Sequence, residues 1–135
     1  MTDDYKFGIE EEYFLVEADS KTVTTTRHDA FFADVKAALG AQVTGEMLQS
    51  QIEVATSPHT DAATAGAELK YLRQTVAKIA AEHGLAILAA GTHPTADWQL
   101  SRQSPGERYD TVMHDLQIVG QRNMLCGLHV HVEIL

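Results

Sequence analysis

Three consecutive glutamates lie inside a segment with the composition of a buried strand, Gly8-Ile9-Glu10-Glu11-Glu12-Tyr13-Phe14-Leu15-Val16. Residues two apart in a strand point to the same face, so Glu10 and Glu12 share a face and Glu11 points to the other. Their Cβ atoms are then roughly 7 Å apart, and the two carboxylates repel each other unless a cation or solvent intervenes. The pattern predicts either one wall of a divalent-metal site, since Mg²⁺ and Mn²⁺ prefer carboxylate oxygens, or an acidic exposed face.

Size and charge narrow the classes of protein that remain possible. A length of 135 residues suits one domain with a modest core. A formal net charge of −9 argues against a nucleic-acid partner, because phosphate backbones are bound by basic patches. Nucleotides are not excluded, since metal ions can bridge them to carboxylates. We expect no membrane span or secretory signal, and the single cysteine, Cys126, fits a cytoplasmic protein.

Hydrophobic periodicity predicts a domain that contains both helices and antiparallel strands. Apolar residues alternate in some segments and recur at helical spacing in others, and Gly, Pro and capping residues mark the boundaries, with Asp29 capping the first helix. The predicted strands cover 5–17, 22–26, 42–56, 85–90 and 125–135, and the predicted helices cover 28–40, 61–83 and 108–121.

A second acidic pair lies in the segment 42–56. Glu46 and Glu53 are an odd number of residues apart, so an unbroken strand would place them on opposite faces. A bulge or bend would bring both to one site, and Gly45 permits one. From the local pattern alone, Glu53 is as readily a solvated strand residue as a ligand, and Glu46 is more often structural or exposed.

The last predicted strand presents two imidazoles on one face. Strict alternation in the segment 125–135 puts Gly127, His129, His131 and Glu133 together, opposite a row of apolar residues. Imidazoles and a carboxylate are good ligands for a metal or a phosphate, although an exposed antiparallel strand has the same pattern. His93, in a loop at a strand end, and Cys126 are more readily interpreted as structural residues.

Taken together, these segments resemble the type 2 glutamate-cysteine ligases, ATP-dependent carboxylate-amine ligases of the glutamine synthetase superfamily. The resemblance runs in order from about residue 5 to the last residue and covers only the first part of the family's chain. Its motifs are Gly8 to Val16, Gly45-Glu46-Met47-Leu48-Gln49-Ser50-Gln51-Ile52-Glu53-Val54-Ala55-Thr56, Gly91-Thr92-His93-Pro94, and Cys126-Gly127-Leu128-His129-Val130-His131-Val132.

The resemblance implies a glutamine synthetase-like α+β fold, in which a curved, mainly antiparallel sheet holds ATP, Mg²⁺ or Mn²⁺ and the acid substrate. It implies that residues 1–135 are the N-terminal part of a single ligase domain. It also implies that His129 and His131 bind the nucleotide phosphates and that Glu53 is catalytic. The implied metal ligands are Glu10, Glu12, Glu46, Glu53 and His129, with Glu46 less certain because its spacing differs slightly from that of the synthetases.

The implied reaction has two steps. ATP phosphorylates the side-chain carboxylate of L-glutamate, and an amine such as L-cysteine then displaces phosphate to form an amide. Two alternatives remain open from the residues: another metal-ATP phosphotransferase on the same scaffold, for example one acting on a guanidino group, and a non-catalytic partner-binding module. The resemblance implies that the family's phosphate-binding arginines and the rest of the nucleotide pocket lie beyond residue 135, so we expect little activity from these 135 residues alone. Because the sheet would be incomplete, we also expect association into homo-oligomers.

Overall fold

The computed structural model describes residues 5–46, 48–104 and 124–134, with Trp98 described by its backbone only. The predicted helix over 108–121 lies outside these residues. The strands are β1 (Phe7–Glu17), β2 (Val43–Gly45), β3 (Gln51–Ala55), β4 (Leu85–Leu88) and β5 (Leu128–Val132). The α-helices are α1 (Asp29–Leu39) and α2 (Ala62–Glu82), and short 3₁₀ turns cover Gly40–Gln42 and Trp98–Leu100.

The long strand β1 is the centre of a five-stranded sheet whose described pairings are all antiparallel. One edge of β1 pairs with β3, which pairs in turn with β2. The other edge pairs with β5 along Phe7 to Glu11 and with β4 along Phe14 to Glu17. The segment that carries the three glutamates is therefore flanked by strands on both sides.

Both helices pack against one face of this sheet. Tyr13 and Leu15 of β1 are fully buried there, because alternate residues of a strand face the same layer. The helices contribute the apolar stripes that the sequence predicts, so the prediction of an α+β fold with an antiparallel sheet packed by helices is confirmed. This core consists of Tyr13, Leu15, Phe31, Val35, Leu39, Val43, Ile52, Val54, Leu72, Val76, Ala80 and Leu85.

The opposite face of the sheet is apolar at one end of β1 and acidic at the other. Toward the C-terminal end of the strand, Phe14 and Val16 pack with Leu48, Met124 and Cys126 in a second apolar cluster. Toward the N-terminal end, the same face carries Glu10 and Glu12, which are only partly buried. The apolar cluster thus anchors one half of the strand, while the other half presents its carboxylates.

Three local predictions differ from the structure. The segment 22–26 is not a strand: it meets β1 through one bridge, Val16–Val23, because the neighbouring part of that edge is taken by Ser50, whose carbonyl accepts from Leu15. The N-cap of α1 is His28 and makes no side-chain capping bond, while Asp29 is the first helical residue and pairs with Arg27. The segment 42–56 forms two short antiparallel strands rather than one.

Among the described residues, neither helix combines the length and hydropathy that crossing a membrane would require.

Candidate metal centre on the sheet face

Strand register brings the predicted ligands of three strands onto one face. Glu10 of β1 lies opposite His129 of β5, and Glu12 lies opposite Glu53 of β3. Directly opposed residues of antiparallel strands point to the same face, and so do residues two apart. His131, opposite Gly8, therefore joins this face. These five side chains, Glu10, Glu12, Glu53, His129 and His131, are called the acidic face below.

The side chains of the acidic face converge around His129. Its Nδ1 lies 3.7 Å from Glu10 Oε2 and 3.9 Å from Glu12 Oε1. His131 Nε2 lies 2.7 Å from Glu10 Oε2. The imidazole of His129 is about half exposed whereas the Glu12 side chain is 14% exposed, so the centre opens to solvent from a partly buried floor.

Two overlapping ligand sets can be drawn from these atoms. One contains Glu10, His129 and His131, and the other contains Glu12, Glu53 and His129. Within each set, one ligand atom per residue lies within 4.8 Å of the others. The carboxylate oxygens suit Mg²⁺ or Mn²⁺, which take mainly oxygen ligands and complete their coordination with water or substrate phosphates, whereas imidazole nitrogens are bound more readily by other transition metals. The residues present fit one or two divalent ions.

Negative charge accumulates on the acidic face. Burial raises the pKa of Glu53, and the neighbouring charges of Glu46 and Glu10 raise it further. A hydrogen bond from Thr44 Oγ1 at 3.1 Å lowers this pKa but does not cancel the rise. In the described part of the chain, the ion pairs of Glu10 and Glu12 are to histidines. A cation bound among these carboxylates would relieve their mutual repulsion.

Glu46 reaches the same region by a route that the sequence did not specify. The segment 42–56 is not one continuous strand. The chain reverses direction between β2 and β3, which pair antiparallel, so that Thr44 lies opposite Glu53. Glu46 directly follows β2 and lines a cavity of about 460 Å³ together with Glu12, Cys126 and His129. Its role as a ligand remains a prediction, and its position beside the acidic face is compatible with that role.

Gly127 is a residue of this site whose role the sequence analysis did not identify. Its N–H donates to Glu12 Oε2 at 2.9 Å, and Glu12 N–H donates to its carbonyl at 3.0 Å. A Cβ atom at this position would lie 2.6 Å from the His129 ring. The glycine thus orients one carboxylate and leaves room for the imidazole. The signal was present in the Gly-x-His spacing, because residues two apart share a strand face.

Glu11 points to the opposite face of the sheet, as the alternation predicts. It lies opposite Val54 and Leu128, is 7% exposed and pairs with Arg73 of α2. No sequence pattern links residues so far apart along the chain, so this pair could not be predicted.

Two other candidate side chains are placed as structural residues. Both nitrogens of the buried His93 are engaged, since Thr95 N–H donates to Nδ1 and Nε2 lies 3.2 Å from the Lys21 carbonyl. Burial raises the pKa of the Cys126 thiol to about 12, so it is protonated at neutral pH and is a poor nucleophile.

The described sheet thus carries helices on one face and a cluster of carboxylates and imidazoles on the other, and comparison with known proteins identifies its family. The model of glutamate-cysteine ligase family 2 matches residues 6–135. The chain belongs to this family.

The names of the curated relatives agree with this family. A protein of Bradyrhizobium sp. strain ORS 278, provisionally named glutamate–cysteine ligase 2, is 53% identical over 131 residues, covering 97% of this chain and 32% of the relative. A similarly named protein of Ruegeria pomeroyi is 41% identical, covering 99% of this chain and 35% of the relative. The chain therefore spans about a third of the length of the curated relatives it matches.

Solved structures share the fold. The glutamate–cysteine ligase of Francisella tularensis, determined in complex with AMP, superposes with a TM-score of 0.74 at 18% identity, over 96% of this chain and 27% of that one. A bifunctional glutathione synthetase from Pasteurella multocida gives a TM-score of 0.76 at 20% identity, over 97% of this chain and 17% of that one. At these identities the likeness extends to the fold alone.

Proposed function

We propose that this chain supplies the metal-binding face of an ATP-dependent carboxylate-amine ligase that joins L-glutamate to an amine such as L-cysteine. One observation carries the proposal: a chain of glutamate-cysteine ligase family 2 presents two overlapping carboxylate–imidazole sets on one sheet face. The AMP bound to the Francisella tularensis ligase, which has the same fold, supports a nucleotide as a ligand of this chain.

In this proposal Glu10, Glu12, Glu46, Glu53 and His129 hold Mg²⁺ or Mn²⁺. A metal ion held by these residues would supply the positive charge that phosphoryl transfer from ATP requires. His129 and His131, at the exposed side of the centre, bind the nucleotide phosphates. We assign Glu53 the catalytic position, because it lies directly opposite Glu12 and shares a ligand set with Glu12 and His129.

The reaction needs no side-chain nucleophile. The γ-phosphoryl group of ATP passes to the side-chain carboxylate of glutamate, giving an acyl phosphate and ADP. The amine then attacks the acyl carbon and expels phosphate, which leaves an amide. Positioning and charge neutralisation govern both steps, so a face built from carboxylates and imidazoles is suited to them, and a protonated, buried Cys126 is not required.

The curated relatives are about three times as long as this chain, so we propose that residues 1–135 form the N-terminal part of one ligase domain and turn over little by themselves. We also propose a cytoplasmic location, where the free thiol of Cys126 stays reduced. Association into homo-oligomers remains a prediction, which sedimentation of the chain at several concentrations tests.

The experiment that tests the function measures ADP release by a chain of the relatives' length that carries this segment, supplied with ATP, Mg²⁺ and glutamate, with and without cysteine. ADP and amide formation that both require the amine are expected. Phosphorylation of a guanidino compound without amide formation would instead support another phosphotransferase. Absence of any metal-dependent ADP release would indicate a non-catalytic module. Glu12→Gln in the same chain is expected to abolish turnover, and Glu17→Gln, at the exposed end of β1, serves as the matched control.

A further inference from the structure

A second polar network lies directly behind the acidic face, on the helix side of the sheet. Arg73 of α2 donates to Glu11 through two nitrogens, Nη2 to Oε1 at 2.5 Å and Nε to Oε2 at 3.1 Å. The hydroxyl of Tyr13 donates to Glu11 Oε2 as well. Glu11 is 7% exposed and Tyr13 is fully buried. Glu11, Tyr13 and Arg73 are called the rear network below.

The rear network joins the buried side chains of Glu11 and Tyr13 to the half-exposed side chain of Arg73. A forked arginine–carboxylate pair fixes both distance and orientation, which a single point contact does not. Arg73 follows the buried Leu72 and precedes the buried Val76 by three residues, so the core holds its backbone against the sheet. The Tyr13 side chain is fully buried, so the core around it holds its hydroxyl against the Glu11 carboxylate.

The position of the rear network in β1 connects it to the metal ligands. Glu11 lies between Glu10 and Glu12 in β1, and Tyr13 directly follows Glu12. The network therefore contacts the same four-residue part of the strand from the opposite face of the sheet. On the front face, Glu12 lies opposite Glu53, and like charges directly opposed in a sheet push the strands apart. A contact that fixes the rotation of β1 at Glu11 also fixes the direction in which the flanking side chains leave the strand.

We infer that Glu11, Tyr13 and Arg73 are positioning residues that hold Glu10 and Glu12 in their converged arrangement against mutual repulsion. The inference rests on the proposed function, because it assigns the network a task in the same metal site. A purely structural network would also stabilise the fold. It would not, however, change how tightly the folded chain binds a metal ion.

The test compares Mn²⁺ binding, followed by electron paramagnetic resonance of the free ion, at a temperature where circular dichroism shows each variant fully folded. Arg73→Met is expected to weaken Mn²⁺ binding by about tenfold, the scale on which residues behind the ligands act. Tyr13→Phe and Arg73→Lys, which keep the core volume and the charge respectively, are expected to give smaller losses. Lys78→Met, on the exposed side of α2, removes the same charge and should bind like the parent.

The outcomes separate the two proposals. If the parent binds Mn²⁺ and the folded Tyr13→Phe and Arg73→Lys variants match its affinity, the positioning role is wrong and the proposed metal site stands. If the parent does not bind Mn²⁺, the proposal of a metal site is wrong, and the positioning role is then wrong as well. Should Arg73→Met not fold, the two milder variants still decide the matter, because each keeps part of the network.

Discussion

Glu12 of β1 and Glu53 of β3 lie directly opposite each other in the sheet, with both carboxylates on the same face. Two acidic side chains in this arrangement destabilise a sheet unless something positive lies between them. The repulsion therefore lowers the free energy of unfolding of the metal-free chain. The metal site can then be tested by measuring stability as well as metal binding.

Replacing Glu53 with Gln is expected to stabilise the metal-free chain and to impair metal binding. The substitution removes one like charge while its amide oxygen still accepts from Thr44. We expect the free energy of unfolding in urea to rise by about 0.5 kcal/mol, the scale of an opposed like-charged pair. Mn²⁺ affinity should fall at least about tenfold. Glu17→Gln is the control, and a destabilised Glu53→Gln variant with the parent's Mn²⁺ affinity would contradict both assignments.

The same carboxylate predicts how stability depends on pH. Because the folded-state pKa of Glu53 is raised above its usual value of 4.5, the folded chain holds this proton over a range where the unfolded chain has lost it. The contribution of Glu53 to the free energy of unfolding therefore decreases as pH rises from 4.5 through the folded-state pKa. Urea unfolding of the parent and Glu53→Gln at several pH values should show a difference that grows toward neutral pH. A constant difference would exclude the shift.

Glu68 of α2 is expected to behave in the opposite way. Burial raises its pKa, but hydrogen bonds from His59, Gln42 and Ser57 outweigh burial and lower it overall. Its contribution is therefore complete above pH 4.5 and is lost as pH falls through the folded-state pKa. Glu68→Gln should lower the free energy of unfolding by about 1 kcal/mol at neutral pH and by less in acid. Glu82→Gln, exposed at the end of α2, should have little effect at either pH.

Gly127→Ala is expected to separate metal binding from stability. The added Cβ meets the His129 ring at 2.6 Å, and since that side chain is half exposed it can rotate away. Gly127 does not have a positive φ, so alanine fits the backbone and the free energy of unfolding should change by less than about 1 kcal/mol. Mn²⁺ affinity should nevertheless fall about tenfold. Gly66→Ala, in open space on α2, is the control and should leave Mn²⁺ affinity unchanged.

Local pattern was sufficient for the elements whose side chains alternate or recur regularly. The alternation in β1 predicted that Glu10 and Glu12 share a face opposite Glu11, and the alternation in β5 predicted that His129 and His131 share a face, because a strand has only two faces. The apolar stripe of α2 was predicted from its helical spacing in the same way. Local periodicity determines these features, so they required no knowledge of what packs against them.

Features that depend on distant partners were not predictable in the same way. The segment 22–26 has strand-forming residues, yet the space beside β1 is shared with Ser50, so a single bridge forms. The relation of Glu46 to Glu53 depends on where the chain reverses, and the glycine at 45 allowed a bend without specifying it. The contact of Glu11 with Arg73 joins β1 to α2 across the core. Each of these is decided by tertiary packing rather than by spacing.

Titration of Mn²⁺ into the 135-residue chain, followed by electron paramagnetic resonance, tests most directly whether the acidic face binds divalent metal. The parent should deplete the signal of free Mn²⁺. Glu10→Gln and Glu12→Gln should each bind at least about tenfold more weakly, and His129→Ala, which removes the ligand shared by both sets, should lose the most. Glu17→Gln should match the parent. A parent that leaves free Mn²⁺ undiminished, or ligand variants that all bind as it does, would contradict the account.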